Sequence, residues 1–435
     1  MIKFIFISLI IIGELMATAL PKYYEKTLDN GLKIVAIPLH NESNVITTDI
    51  FYKVGSRNEI MGKSGIAHML EHLNFKSTKH LKAGEFDTIV KKFGGVNNAS
   101  TGFDYTHYFI KSSSKNLSKS LELYAELMQN LTLKDEEFQP ERNVVAEERR
   151  WRTDNSPMGY LYFKLFNNAF TYHPYHWTPI GFMNDIKSWT IDDIKQFHNT
   201  YYTPKNAIVI VAGDIDKDKV FKEATKYFSK IPNTKESKNI VQKLHTIEPK
   251  QDGMKKIIIH KDTQVQMLAM AFHIPDFKDK DQVALSAISE LLSSGKSSRL
   301  NKILIDQKQL VNTIYAYNME QKDPSLFLFL AVCNPNVDAS EVEKIILDEI
   351  QKLKQGDIKQ KELDKVKINT KSDFVFSLES SSNVASLYGS YLSRGDIKPL
   401  LNYEQNINNL TLQDLQKVAK KYFVTNNLLI ITLKK

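Results

Sequence analysis

A chain of 435 residues exceeds what one ordinary hydrophobic core organises, so two or more domains are expected. With 42% hydrophobic and 25% charged residues, the composition is globular and excludes a largely disordered chain. The net charge of +8 is spread over interleaved Lys, Arg, Asp and Glu, with no long run of like charge and no aromatic-basic array, which excludes a nucleic-acid-binding face.

At the start, Lys3 precedes an apolar run from Phe4 to Ile12, interrupted by Ser8, and Ala17-Thr18-Ala19 follows. Charged start, short apolar stretch and small-x-small site predict a secretory signal over residues 1–19, cut after Ala19. The protein is then exported, to the periplasm or the exterior. The apolar stretch is too short for a comfortable span, so no stable membrane segment is expected after processing. Glu14, just before the cut, keeps an uncleaved anchor open as the alternative.

Beyond the signal, Leu32, Ile34 and Ala36 alternate within a strand from Glu25 to Pro38 that follows an Asn30-Gly31 turn, and Val45 to Val54 reads as a second strand. Helical periods cover 65–76 and 84–93, and Gly94-Gly95 ends the second. Val96 to Ile110 alternates as a hairpin around Gly102. Helices dominate 115–152 and 155–170. Thr190 opens another, with Asp193 placed as its capping-box partner, and Ile208 to Ala212 is a buried strand.

The end of the chain repeats this last unit. Thr190 to Tyr201 and Asn206 to Val211 match Thr411 to Tyr422 and Asn427 to Thr432 at an ungapped offset of 221 residues. Met267 to Ile274 is strand-like, and Val283 to Leu292 is an apolar helix where the first half has residues 65–76. Two copies of one α+β unit are expected, 20–232 and 253–435, joined by the polar stretch 233–252. The single cysteine, Cys333, excludes an internal disulfide and reads as a small buried apolar residue.

Within the helix at 65–76, residues 68–72 read His-Met-Leu-Glu-His. His68 and His72 are four apart and project from one helical face, where two imidazoles can hold one Zn²⁺ with Glu71 beside its open position. The order H-x-x-E-H marks the inverzincin metallopeptidases. The second copy has no such motif, so any catalysis belongs to the first half.

Three segments make the chain resemble the insulinase/pitrilysin family, in its half-length bacterial processing-peptidase-like branch. They are Gly65 to Thr78; Phe93 to Thr101 with Asp104 to Tyr108; and Glu141 to Glu148. The resemblance implies two homologous repeats, each a mostly antiparallel sheet packed with helices, facing each other like a clamshell. It implies one Zn²⁺ per chain, with Glu148 as third ligand beside His68 and His72, and Glu141 supporting the metal. Helix geometry agrees: positions 141 and 148 lie two turns apart on one face, whereas Glu147, the reserve candidate, is turned about 100° away. Glu141 is placed to accept the distal N–H of a ligand histidine. The implied reaction is hydrolysis of peptide bonds in extended or unfolded peptides by metal-activated water, with Glu71 as general base.

The same resemblance implies that the strand around Asn98, Ala99 and Ser100 pairs with the substrate as an added edge strand, and that Phe75 lines the adjacent side-chain pocket. Bland readings stand beside these: Asn98 as a turn residue and Phe75 as core. The sequence departs from the family in its second half. Relatives carry an Arg and a Tyr seven apart that bind substrate carbonyls, but Ile305 and Asn312 stand there. Arg299 reads as structural, and Tyr315 and Tyr317 fall three and five positions late. A homologous partner subunit is therefore expected to supply that pair. The loop His173-Pro174-Tyr175-His176 reads as a groove wall, and His80, His107 and His260 as single, satisfied residues. A non-catalytic scaffold or peptide-binding subunit is the alternative function, although His68, Glu71, His72 and Glu148 all stand.

Overall fold

The computed structural model describes residues 20–40, 42–241, 243–244 and 246–435, so the expected signal at 1–19 lies outside the described residues. The first half begins with β1 (Tyr24–Thr27), β2 (Lys33–Pro38), β3 (Val45–Tyr52), α1 (Ile66–Leu73), α2 (Glu85–Lys92), β4 (Val96–Thr101) and β5 (Thr106–Ser113). It continues through α3 (Leu117–Asn130), α4 (Asp135–Arg149), α5 (Pro157–Ala169), α6 (Met183–Ser188), α7 (Ile191–Tyr201), β6 (Ala207–Gly213) and α8 (Lys217–Phe228). The second half has β7 (Lys255–His260), β8 (Met267–Ile274), α9 (Gln282–Ser293), β9 (Val311–Asn318), β10 (Ser325–Cys333) and α10 (Ala339–Gln355). It ends with α11 (Gln360–Ser377), α12 (Ser381–Arg394), α13 (Lys398–Leu401), α14 (Tyr403–Asn409), α15 (Leu412–Tyr422) and β11 (Leu428–Lys434).

The predicted strand at 25–38 is two strands. Gly31, at φ +86, turns β1 back on β2, and a Cβ there would lie 2.9 Å from that of Lys205. The first sheet runs β1-β2-β6-β3-β5-β4 and the second β7-β11-β8-β10-β9. Each is antiparallel apart from one parallel pair, β2 with β6 and β7 with β11. The second sheet thus reproduces the first without β1. The repeat is also carried by its caps: Thr190 N donates to Asp193 at 2.9 Å and Thr411 N to Asp414 at 2.9 Å, opening α7 and α15. The architecture is α+β in two related halves.

How the halves hold together was not visible in the sequence. One face of each sheet packs on helices of its own half, as Ile34, Ile50 and Val209 do with Leu70, Leu121 and Phe228. The other face is covered by a helix of the opposite half. Leu161, Leu165 and Phe166 of α5 pack on Ala269, Ala271 and Ile431 of the second sheet. Reciprocally, Val384, Ala385 and Tyr388 of α12 pack on Val35, Phe51 and Ile210 of the first. Gly389 permits this approach, since a Cβ there would lie 2.2 Å from the Phe51 ring. Strands buried on both faces, such as β6, consequently read as unbroken apolar runs. A buried ion pair adds to the clasp: Arg57 Nε lies 2.5 Å from Asp323, which His173 Nε2 also meets at 3.0 Å.

Glu248 ties the connecting stretch to the first half. The Glu248 carboxylate accepts N–H bonds from Thr171, Tyr172 and His173, which holds the His173–His176 loop in place. His176 Nδ1 donates to the Phe170 carbonyl at 2.6 Å, so both histidines make contacts that hold that loop. Cys333 is buried, and burial pushes its thiol up to about 11. Among the described residues, no helix is long and apolar enough to cross a membrane.

Candidate metal centre

Ile66, Ala67, Met69, Leu70 and Leu73 are buried in the first core, which turns the opposite face of α1, with His68, Glu71 and His72, toward a cleft. Gly65 opens the helix at φ +85 with no side chain to cap it. Glu59 takes that role from six residues upstream: its carboxylate accepts from Gly65 N and Ala67 N, each at 2.8 Å, and from Trp177 Nε1 at 2.7 Å. Burial pushes the Glu59 carboxyl up to about 8, against the pull of those three donors. Nothing in the helical period at 65–76 signals a cap so far from it, and the sequence reading missed Glu59.

Helix α4 lies across α1, with Phe138, Val145 and Ala146 buried and Glu141 and Glu148 on the side toward the histidines. Glu148 Oε2 is 3.7 Å from His68 Nε2 and 3.5 Å from His72 Nε2. One donor atom from each of the three lies within 4.8 Å of the others. Tetrahedral metal bonds of 2.0–2.1 Å set neighbouring ligand atoms about 3.3 Å apart, so His68, His72 and Glu148 fit one small cation. Glu141 Oε1 is 2.8 Å from His72 Nδ1, the nitrogen directed away from that centre, and Lys76 holds its other oxygen at 2.6 Å. His68 Nδ1 is buried without a hydrogen-bond partner among the described residues. Glu147 is exposed and pairs with Arg150 instead.

The electrostatics favour positive charge at this point. Burial pulls His72 down, but the hydrogen bonds it donates to Glu141 and Glu148 outweigh it and carry the imidazole up to about 9. Burial and the neighbouring His72 lower His68 to about 4. Both carboxylates are held below their usual range, chiefly by their contacts with His72. Glu71 is raised by burial, while Thr101 Oγ1 donates to its Oε2 at 2.5 Å. A half-buried carboxylate with one oxygen fixed and the other free is placed to exchange protons.

Two separate cavities stand out among the described residues, one of about 320 Å³ in the second half and one of about 740 Å³ in the first, and of these two the one in the first half contains imidazoles. The larger one is lined by His68, Glu71, His72, Phe75, Asn98, Ala99, Ser100, Glu141 and Glu148, whereas Glu147, the reserve candidate, is not in it. Asn98 is not in a turn; it lies in β4, the edge strand, paired on one side with β5. Along β4, Asn98 and Ser100 are exposed, whereas Ala99 packs toward the core and Thr101 reaches Glu71. The Phe75 ring meets Phe86 and Tyr108, and the residue also lines the cleft.

The fold thus places a cluster able to hold a metal ion in the first of two related halves, and comparison with known proteins shows the family. Residues 35–175 match the family described as Insulinase (Peptidase family M16), and residues 188–370 match the Peptidase M16 inactive domain. Zinc protease PqqE of Helicobacter pylori is 57% identical over 405 residues, covering 93% of this chain and 91% of that protein. A crystal structure of a protease from Helicobacter pylori superposes with a TM-score of 0.93 at 55% identity, covering 96% of this chain and all of that one. The periplasmic protease PqqL from Escherichia coli shares the fold, with a TM-score of 0.77 at 20% identity over 95% of this chain and 47% of its own. The chain belongs to the insulinase family, peptidase family M16.

Proposed function

We propose that this protein is a zinc-dependent endopeptidase acting on extended or unfolded peptides, with one Zn²⁺ held by His68, His72 and Glu148. The observation that carries the reading is the convergence of those three donor atoms within 4.8 Å of one another, with Glu71 in the same cleft. Bound there, Zn²⁺ supplies Lewis acidity, bringing the pKa of a water toward 7 and polarising a peptide carbonyl. Glu71 receives the proton as the water's oxygen bonds to the carbonyl carbon, and returns it to the amine as the C–N bond breaks. Thr101 fixes one Glu71 oxygen and leaves the other for that transfer. Glu141 orients His72 through its Nδ1. Glu141→Gln is expected to weaken zinc binding by ~10–100-fold in a chelator competition, the usual effect of losing such a partner; unchanged affinity would contradict the role.

Substrate lies along the free edge of β4. Because Asn98 and Ser100 are exposed on its outer face, recognition there is through main-chain N–H and C=O groups, which tolerates varied sequences. Ala99 and Phe75 line the same cleft as the proposed metal ligands. At the positions weighed in the second half, Ile305 packs against its core, Asn312 is exposed, and Arg299 is engaged by Glu362 and Glu349. A homologous partner bringing an Arg and a Tyr is part of the proposal, as are the division at 233–252 and export to the periplasm or beyond; PqqL, a protein of the same fold, is described as periplasmic. The test is incubation of the zinc-loaded protein, with any subunit that co-purifies, with an unfolded protein. Chelator-sensitive fragmentation at one zinc per chain is expected. Zinc binding without cleavage favours the scaffold reading.

A further inference from the structure

Two residues beyond Glu148 the helical pitch changes: Arg150–Asp154 form a π-helical turn, a feature concentrated at functional sites. The start of α5 presses directly on it. A Cβ at Gly159 would lie 1.9 Å from the Arg152 carbonyl oxygen, so the two segments meet only because position 159 has no side chain. Ser156 caps α5 there, accepting from Gly159 N at 3.2 Å. The turn brings Arg152 back over the cleft that holds His68, Glu71 and His72.

Arg152 Nε lies 3.1 Å from Glu148 Oε1, the oxygen not directed at the imidazoles. Its side chain is 64% exposed, and neither terminal nitrogen makes a hydrogen bond among the described residues. The charge acts on His68, Glu71 and Glu148 alike. Lys76, also in the cleft, is engaged by Glu141. Arg152 is therefore a permanent cation with donors to spare, one carboxylate away from the reacting centre.

Resting on the peptidase reading, we propose that Arg152 is a catalytic residue: its terminal N–H groups receive the carbonyl oxygen of the scissile peptide as negative charge builds on it. As the water's oxygen bonds to the carbonyl carbon, the C=O π electrons move onto that oxygen and the water's proton goes to Glu71. Collapse restores C=O, breaks C–N and sends the proton to the amine. Arg152 stays protonated throughout and steadies the intervening charge. The partner's Arg and Tyr then hold flanking substrate carbonyls, a separate task.

The test compares the unaltered protein, isolated with whatever accompanies it, with its Arg152→Ala and Arg152→Lys variants on an unstructured fluorogenic peptide. Zinc affinity is measured separately, by chelator competition without substrate. Arg152→Ala is expected to lower kcat by ~10²–10³-fold, the cost of removing one oxyanion donor, with KM and zinc affinity unchanged. Arg152→Lys, or free guanidinium added to the Ala variant, is expected to restore part of the rate. Unchanged kcat overturns the proposal. So does a zinc affinity that falls in step with the rate, which would make Arg152 only a support for Glu148. Full turnover by Glu71→Gln would instead bring down the peptidase reading itself.

Discussion

Glu71→Gln is expected to leave the fold and the zinc content unchanged and to lower the rate of peptide hydrolysis by ~10²–10⁴-fold, the contribution of a well-placed general acid–base. The substitution is nearly isosteric, and its amide oxygen still accepts the Thr101 hydroxyl, so β4 and α1 keep their contact. What disappears is the ability to take a proton. Zinc content per chain and kcat, measured on one preparation, check this together. Turnover near that of the unaltered protein would contradict the assignment of Glu71.

Two adjacent carboxylates on α4 yield the second large effect. Glu148→Ala is expected to weaken zinc binding by more than ~100-fold, beyond the range for an outer-sphere partner. Each factor of ten corresponds to about 1.4 kcal/mol of binding energy. Glu147→Ala is expected to leave zinc affinity unchanged, because Glu147 faces solvent and pairs with Arg150. Chelator competition on the two variants reads both outcomes. Equal losses, or a larger loss at Glu147, would move the third ligand to the neighbouring residue.

The shared faces of the proposed ligands were legible because they rest on helical periodicity. His68 and His72 four apart, and Glu141 and Glu148 seven apart, each share a face whatever the surroundings. The capped helix and following strand at 190–211 and 411–432 were legible for the same reason, since both their caps and their apolar runs are local. The exchange of α5 and α12 between the halves was not. An apolar face announces that it will be buried, but not against which sheet, and Leu161 and Val384 look alike in either case. Glu59 and Arg152 escaped for a related reason. One caps a helix from a preceding loop, and the other is placed by a π-helical turn and a glycine on the next helix. Asn98 and Ser100 lie in strand β4 with their side chains on its exposed face, which strand alternation implies once Thr101 is known to meet Glu71.

Crystals grown with zinc and measured at the zinc absorption edge test the central claim most directly. The expected result is one anomalous peak per chain, ~2.0–2.2 Å from His68 Nε2, His72 Nε2 and a Glu148 carboxylate oxygen. A chain without that peak, or a peak with Glu148 turned away from it, would contradict the assigned centre and the hydrolysis that depends on it.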